Sequence, residues 1–144
     1  MYDAVHAEFD GANAVIAAAA VADYKPKIVA ANKIKKQENS LNIELEPTRD
    51  ILASLGALKQ HQKLVGFALE TDNELENAKG KLERKNLDFI VLNSLNDVGA
   101  GFKSDTNKIS IVTRDEVKRF DLKTKTEVAR DILNEVILLL DEKN

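Results

Sequence analysis

Three short apolar runs divide the chain, and polar or turn-forming residues bound each of them. The runs are AVIAAAA at residues 14–20, KLVGFALE at 63–70 and DFIVLN at 88–93. A nearly unbroken apolar run of this length is typical of a strand that is buried on both faces of a parallel sheet. The pattern therefore predicts three parallel strands.

Segments with apolar residues at helical spacing separate these runs. One covers residues 1–9, a second covers 48–60 with Thr48 as its expected N-cap, and two more open at the capping-box sequences TDNE (71–74) and TKTE (124–127). Residues 41–46 alternate with strand period, and residues 108–113 and 117–122 flank the polar turn 114–116 as a β-hairpin.

This order of elements predicts the fold class: α/β, a Rossmann-like three-layer parallel sheet with a C-terminal antiparallel β-hairpin extension. Ligands of such sheets bind beyond the carboxyl ends of the strands. Neither G-x-G-x-x-G nor G-x-x-x-x-G-K-[ST] occurs in the chain, which begins directly on a predicted helix. We therefore expect residues 1–144 to form a single truncated domain whose N-terminal strand and Gly-rich loop are missing.

The amino-acid composition argues against several classes of function. The net charge is −3 over 144 residues, so the overall charge gives no reason to expect a nucleic-acid partner. Cysteine is absent, and the two histidines, His6 and His61, have no zinc-site spacing, so we expect no metal site in the protein. No apolar stretch is long enough to span a membrane and the N-terminus is acidic, so we expect a cytoplasmic protein with no membrane partner.

The residues after the first apolar run have an unusual charge pattern. Asp23 ends the run, and residues 24–37 then carry five lysines and no acid. At an effective dielectric near 20, one lysine about 4 Å from a phosphate oxygen contributes about 4 kcal/mol. The pattern favours a loop that binds a polyphosphate, with a solvated surface loop as the alternative. For Asp23 the alternatives are a ligand contact and an Asx-turn.

Other candidates carry weaker signals. The helix predicted to open at Thr48 would present an anion-binding N-terminus, where Arg49 opposes the helix dipole and Asp50 favours it. Phe67 lies inside a buried run, where an aromatic residue is more often core than ligand contact. Lys81 and Lys85 share one helix face, which is equally typical of a solvated surface.

Several stretches, taken together, resemble one family. They are residues 18–27 (AAAVADYKPK), 33–37 (KIKKQ), 50–52 (DIL), 64–71 (LVGFALET), 85–93 (KNLDFIVLN) and 101–112 (GFKSDTNKISIV). Their order and spacing over nearly the whole chain resemble the phosphopantothenoylcysteine synthetase (phosphopantothenate–cysteine ligase) family. This family forms the C-terminal half of the bifunctional bacterial coenzyme A biosynthesis flavoprotein.

The resemblance implies a two-step ligase. The carboxylate of 4′-phosphopantothenate is converted by CTP, with Mg²⁺, to an acyl-cytidylate, and the amine of cysteine then displaces CMP to form an amide. The resemblance also implies a homodimer, and it implies FMN only if a decarboxylase domain precedes this segment in the parent protein.

The resemblance also assigns residues to the nucleotide site. Lys33 is the expected catalytic loop lysine, and Asp23 is expected to hold the nucleotide. The other positions expected to bind the nucleotide are Ala17, Ala18, Ala19, Arg49, Asp50, Ile51, Leu52, Phe67, Lys81 and Lys85.

One part of the family pattern does not occur in residues 1–144. The stretch GPT…DPVR…N-x-S-S-G-K-M-G, with its Gly-rich nucleotide loop, is not found there. We therefore expect little or no ligase activity from this chain by itself and at most weak binding of CTP. Two alternatives stay open: an oxidoreductase-type dinucleotide-binding domain, which needs a Gly-rich turn, and a non-catalytic dimerisation module built on the hairpin of residues 108–122.

Overall fold

The computed structural model describes residues 1–36, 40–70, 72–94 and 104–141. The chain separates into two compact units. The first, here called the sheet unit, comprises residues 1–18 and 51–144, and the second, the hairpin unit, comprises residues 19–50. The assignment of residues 1–144 to one synthetase domain stays a prediction.

The described residues form four helices and nine strands. In chain order they are α1 (Tyr2–Phe9), β1 (Ala14–Ala17), β2 (Tyr24–Pro26), β3 (Leu45–Pro47), α2 (Ile51–Leu58), β4 (Lys63–Glu70), α3 (Glu74–Arg84), β5 (Phe89–Ser94), β6 (Thr106–Asn107), β7 (Ile109–Val112), β8 (Val117–Arg119), β9 (Lys123–Thr124) and α4 (Lys125–Asp141).

The main sheet has the order β1-β4-β5-β7-β8. Strands β1, β4 and β5 run parallel, whereas β7 and β8 extend the sheet as an antiparallel hairpin. Helices α1, α2 and α3 cover one face and α4 covers the other. The predicted α/β class, with three layers and a C-terminal hairpin, is confirmed for the sheet unit.

Strand β4 explains why the central apolar runs are continuous. Leu64 and Ala68 point into the core cluster under α1, α2 and α3, whereas Val65 points into the cluster under α4. Both faces are covered by helices, so successive residues are apolar whichever way they point. Strand β5 follows the same rule, with Ile90 on one face and Val91 on the other.

Strand β1 departs from the prediction. It covers only Ala14–Ala17, and Ile16 is 37% exposed, so this run is not buried on both faces. The reason is its position: β1 is the terminal strand of the sheet among the described residues, with β4 as its one neighbour. Residues 41–46 are a second departure, because the strand there is confined to Leu45–Pro47 and the side chains of Leu41 and Ile43 are exposed.

The helix caps were predicted with mixed success. The Thr124–Glu127 capping box is confirmed, since the Thr124 N–H donates to Glu127 Oε2 at 3.0 Å and the Glu127 N–H donates to Thr124 Oγ1 at 3.3 Å. The box predicted at residues 71–74 stays a prediction, because one of its two partners is not described; the N-cap assigned to α3 is Asn73, in the left-handed conformation with φ 47°, and it makes no side-chain cap bond. Thr71 lies outside the described residues.

The predicted N-cap at Thr48 is wrong. Helix α2 begins three residues later, at Ile51, and the Thr48 hydroxyl donates to the carbonyl of Ala22 at 2.7 Å. The Thr48 hydroxyl therefore bonds to a carbonyl within the hairpin unit and does not cap the helix, as the local sequence pattern had predicted it would.

Helix α2 packs closely on the junction between α3 and β5. A Cβ atom at Gly56 would lie 2.0 Å from the carbonyl oxygen of Lys85, so only glycine fits there. Asn86, with φ 50°, turns the chain into β5 and donates from Nδ2 to the Gly56 carbonyl at 3.0 Å. This contact fixes the spacing between two helices of the same layer.

Candidate functional site

The parallel strands β1, β4 and β5 end at one edge of the sheet, here called the carboxyl edge. Ala17, the last residue of β1, is in register with Gly66 of β4. A Cβ at Gly66 would lie 3.1 Å from Leu52 Cδ2, so the missing side chain lets the start of α2 approach the strand. Ala17 and Leu52 thus both adjoin Gly66, and β1 ends at this level of the sheet.

Phe67 lies on the opposite face of β4 from Leu52. Its side chain is half-buried and packs at the margin of the core cluster under α4. Leu69, two residues further along the same face, is 39% exposed. The aromatic ring is thus part of the core and also borders an incompletely covered apolar surface.

Lys81 and Lys85 lie at different distances from the carboxyl edge of the sheet. Lys81 Nζ lies 3.6 Å from Glu70 Oε1 at the end of β4, which is the carboxyl edge. Lys85 is the C-cap of α3, and its N–H donates to the Lys81 carbonyl at 3.1 Å. Because α3 runs back from the end of β4 to the start of β5, Lys85 lies toward the opposite, amino edge of the sheet. The structure does not bring Lys85 to the strand ends, and its assignment to the nucleotide stays a prediction.

In the hairpin unit, strands β2 and β3 pair acids with two of the five lysines. Lys25 Nζ lies 3.0 Å from Glu46 Oε1, and Lys27 Nζ lies 2.7 Å from Glu44 Oε1. The expectation of five unbalanced ammonium groups is therefore wrong for these two, because antiparallel pairing places distant acids opposite them.

The remaining lysines of this segment have no such partners within the part of the chain that the structure describes. Lys33, Lys35 and Lys36 are exposed and make no ion pair with any residue in the described parts of the chain. Ile34, between them, is 55% exposed. The cationic charge that is available to an anion is thus concentrated at residues 33–36.

Asp23 immediately precedes β2. Its carbonyl oxygen accepts a hydrogen bond from the Thr48 N–H at 2.8 Å, which closes the base of the hairpin unit. Its exposed carboxylate makes no hydrogen bond to a residue in the part of the chain that the structure describes, so the alternative Asx-turn does not form.

Five other assigned positions flank the hairpin or begin α2. Arg49 and Asp50 precede α2 instead of lying in its first turn, so the argument that Arg49 opposes the dipole from inside the helix is wrong. Ile51 packs against the core cluster under α1, α2 and α3. Ala18, whose N–H bonds to the Ile16 carbonyl at 3.1 Å, and Ala19 continue the chain from β1. The nucleotide roles of these residues stay predictions.

Asn93 lies at one of the strand ends where ligands are expected, but it is not among the residues assigned to the nucleotide. This residue is the last but one of β5 at the carboxyl edge, and its Oδ1 atom is buried without a hydrogen-bond partner among the described residues. The signal was present, since one amide ends an otherwise apolar run, as Asp23 does for the first run.

Other features of the described residues lie away from this edge. A cavity of about 600 Å³ opens near Phe89 and Arg114, where β5 begins, so it is at the amino edge. His6 packs α1 on α2, with Nε2 2.9 Å from Ser54 Oγ. Within residues 1–36, 40–70, 72–94 and 104–141, no three acidic or histidine side chains gather as a metal site, and no helix is long and apolar enough to cross a membrane.

The sheet order, the helix layers and the inserted lysine-bearing hairpin define a Rossmann-like α/β protein with candidate ligand-binding residues at its carboxyl edge. The family model for the DNA/pantothenate metabolism flavoprotein C-terminal domain matches residues 1–139. The chain belongs to this family.

Individual relatives agree with the family assignment. The chain is 44% identical over 140 residues to the coenzyme A biosynthesis bifunctional protein CoaBC of Bacillus subtilis, covering 96% of this chain and 34% of that protein. It is 53% identical over 127 residues to a protein from an unknown prokaryotic organism that is named cysteine/cysteine sulfinic acid decarboxylase, covering 87% of this chain and 35% of that protein. The chain thus spans about a third of the length of these relatives.

A solved structure supports the same fold. The crystal structure of the C-terminal domain of CoaBC superposes with a TM-score of 0.77 at 39% identity, covering 98% of this chain and 61% of that one.

Proposed function

We propose that this chain supplies part of a CTP-dependent phosphopantothenate–cysteine ligase of coenzyme A biosynthesis. Its membership of the family, together with its similarity to CoaBC, gives the reaction class. The single structural observation in support is that Lys33, the expected catalytic lysine, is exposed and has no ion-pair partner among the described residues.

In the first step, a carboxylate oxygen of 4′-phosphopantothenate attacks the α-phosphorus of CTP. The bond to the bridging oxygen of the β-phosphate breaks, and pyrophosphate leaves. A carboxylate is a poor electrophile, so this step converts it to a mixed anhydride with a good leaving group. Both reactants are anionic, and a lysine ammonium about 4 Å from the reacting phosphate would stabilise the developing charge by about 4 kcal/mol at an effective dielectric near 20.

In the second step, the neutral amine of cysteine attacks the acyl carbon. The bond from that carbon to the phosphate oxygen breaks, CMP leaves, and the amine loses a proton as the amide forms. Asp23, with its exposed carboxylate, would accept hydrogen bonds from hydroxyl or amino groups of the bound nucleotide.

The implied cofactors follow from this reaction. Mg²⁺ would arrive with the triphosphate as part of the substrate. FMN belongs to the proposal only if a decarboxylase domain precedes this segment. We further propose a homodimer and a cytoplasmic location.

A chimeric protein tests the activity of the chain. We would replace the matching C-terminal segment of Bacillus subtilis CoaBC with these 144 residues and assay phosphopantothenoylcysteine and CMP from CTP, phosphopantothenate and cysteine. We expect product from the chimera, about a thousandfold less from its Lys33→Gln variant, and near-normal product from Lys25→Gln, whose lysine already faces Glu46. A folded chimera that makes no product contradicts the proposal.

The isolated chain separates the alternatives. We expect a small rise in its unfolding midpoint with MgCTP and none with NADPH; the reverse would favour an oxidoreductase-type domain. Sedimentation with and without nucleotide tests a dimerisation module. Release of CO₂ from cysteine, followed in parallel, tests the activity that the decarboxylase relative is named for.

A further inference from the structure

Asn93 has a buried acceptor that the fold leaves unused. Its Oδ1 atom is shielded from solvent and has no partner among the residues that the structure describes. Burying an amide oxygen without a hydrogen bond costs about 1–3 kcal/mol, and most buried polar atoms in native proteins are satisfied. An acceptor at this edge that no described residue satisfies is therefore a candidate ligand contact.

The surroundings of Asn93 are apolar and incompletely covered. In the sheet, Asn93 is in register with Leu69 on one side and with Ile109 on the other. Leu69 is 39% exposed although it is a strand residue, whereas Ile109 is buried. Phe67, half-buried, lies diagonally across from Asn93 on the same face. An apolar surface with one well-placed polar atom is typical of a small-molecule site.

The hydrogen-bonding chemistry of Asn93 Oδ1 indicates which part of a nucleotide it can contact. A carbonyl oxygen accepts hydrogen bonds, so it pairs with an N–H or O–H group and is repelled by phosphate oxygens. In a nucleotide, the donors are the exocyclic amine of the base and the ribose hydroxyls. The aromatic ring of Phe67 beside it suits a base or a ribose and has no affinity for a triphosphate.

We propose that Asn93 Oδ1 accepts a hydrogen bond from the nucleoside portion of the bound nucleotide, which makes Asn93 a further ligand-binding residue of this site. This inference rests on the proposed function, because it takes the ligand to be a nucleotide. It assigns to the sheet unit a contact with the nucleoside.

A comparison of two leucine variants tests the unused acceptor. Asn93→Leu keeps the number of side-chain heavy atoms and the branch point, and it replaces the unsatisfied oxygen with a methyl group, so the unfolding midpoint of the full chain should rise by about 3–5 °C. Asn107→Leu is the matched control: Asn107 is also half-buried near this edge, but its Oδ1 accepts the Lys108 N–H at 3.0 Å. The control should lower the midpoint. A fall in the midpoint of Asn93→Leu would overturn the inference, because the oxygen would then be in use within the fold.

Ligand titrations test the contact itself. MgCTP binding to Asn93→Leu should be about tenfold weaker than to the wild type, although the variant is more stable. Titrations with UTP, which lacks the base amine, and with 2′-deoxy-CTP identify the donor, since the group that bonds to Asn93 is the one whose loss costs no further affinity in the variant. Unchanged MgCTP binding in Asn93→Leu overturns the role of Asn93 alone. A wild-type chain that binds no nucleotide overturns this inference, whereas the chimera assay decides the proposed function separately.

Discussion

The side-chain nitrogen of Lys59 lies 2.6 Å from Oδ2 of Asp88, and both side chains are about 15% exposed. The same Oδ2 accepts the N–H of Leu64 at 2.7 Å, and Lys59 also donates to the carbonyl of Asn86 at 3.3 Å. One carboxylate therefore connects the residue after α2, the start of β4 and the residues that precede β5.

Replacing Asp88 with alanine should lower the free energy of unfolding by about 2–4 kcal/mol. The change leaves a half-buried ammonium and a backbone N–H without their acceptor. Urea titration measures the effect. Asp115→Ala, an exposed acid in the hairpin turn, is the control and should change the free energy by less than about 0.5 kcal/mol. Equal effects of the two substitutions would contradict the structural role of Asp88.

Replacing Gly56 with alanine should destabilise the protein by about 3 kcal/mol, even though alanine is the better helix former. The new methyl group would lie 2.0 Å from the Lys85 carbonyl oxygen, and a backbone atom cannot move aside cheaply.

Gly80→Ala provides the matched control, measured by the same thermal and urea unfolding. It is also a helix glycine, but its added Cβ would meet only the flexible Arg84 Nη1 at 2.9 Å. It should therefore be neutral or stabilise by up to about 1 kcal/mol. A Gly56→Ala protein as stable as Gly80→Ala would show that α2 does not pack against Lys85.

Glu127 should make the stability of the protein depend on pH. The hydroxyl and the N–H of Thr124 donate to its carboxylate, and the hydroxyl bond is the main cause of its lowered pKa; nearby Lys123 and Arg130 add to it. A carboxyl pKa that folding lowers contributes stability above the pKa of the unfolded chain, and that contribution is lost as the pH falls through the folded value.

The measurement is the unfolding midpoint of the wild type and of Glu127→Gln between about pH 7 and about pH 3. The wild type should be the more stable near neutral pH, and the difference should vanish at the acid end. A constant offset between wild type and Glu127→Gln at every pH would rule out the linkage.

Lys33→Gln should weaken the binding of MgCTP to the chain about tenfold, because it removes an exposed ammonium that no described acid neutralises. Isothermal titration at two salt concentrations measures both the affinity and its ionic component. Lys25→Gln should change the affinity little, since its charge already faces Glu46. A larger loss of affinity with Lys25→Gln than with Lys33→Gln would contradict the prediction, because Lys25 would then carry the charge that the ligand meets.

The sheet unit was largely predictable because its signals are local and redundant. Strands β4 and β5 are continuous apolar runs, and the hairpin of β7 and β8 surrounds a polar turn. The errors lie where a distant residue competes with a local pattern. The Thr48 hydroxyl bonds to Ala22 instead of capping a helix, and Ile16 is exposed because β1 is the terminal strand of the described sheet.

For the candidate site, the sequence indicated residues but not the contacts that those residues make. The run that ends in Asp23 and the following lysines pointed to residues 17–36. Composition alone did not reveal that Glu44 and Glu46 neutralise Lys27 and Lys25, because those acids lie about 20 residues away and meet the lysines only through strand pairing. The orphaned oxygen of Asn93 required the three-dimensional arrangement.

The lysines of the hairpin unit differ in their contacts, and this difference affects which substitutions the sequence can accept. The charges that hold β2 against β3 and the charges that are open to an anion belong to different residues. Substitutions at residues 33–36 can therefore change the affinity for an anionic substrate without removing the ion pairs between β2 and β3.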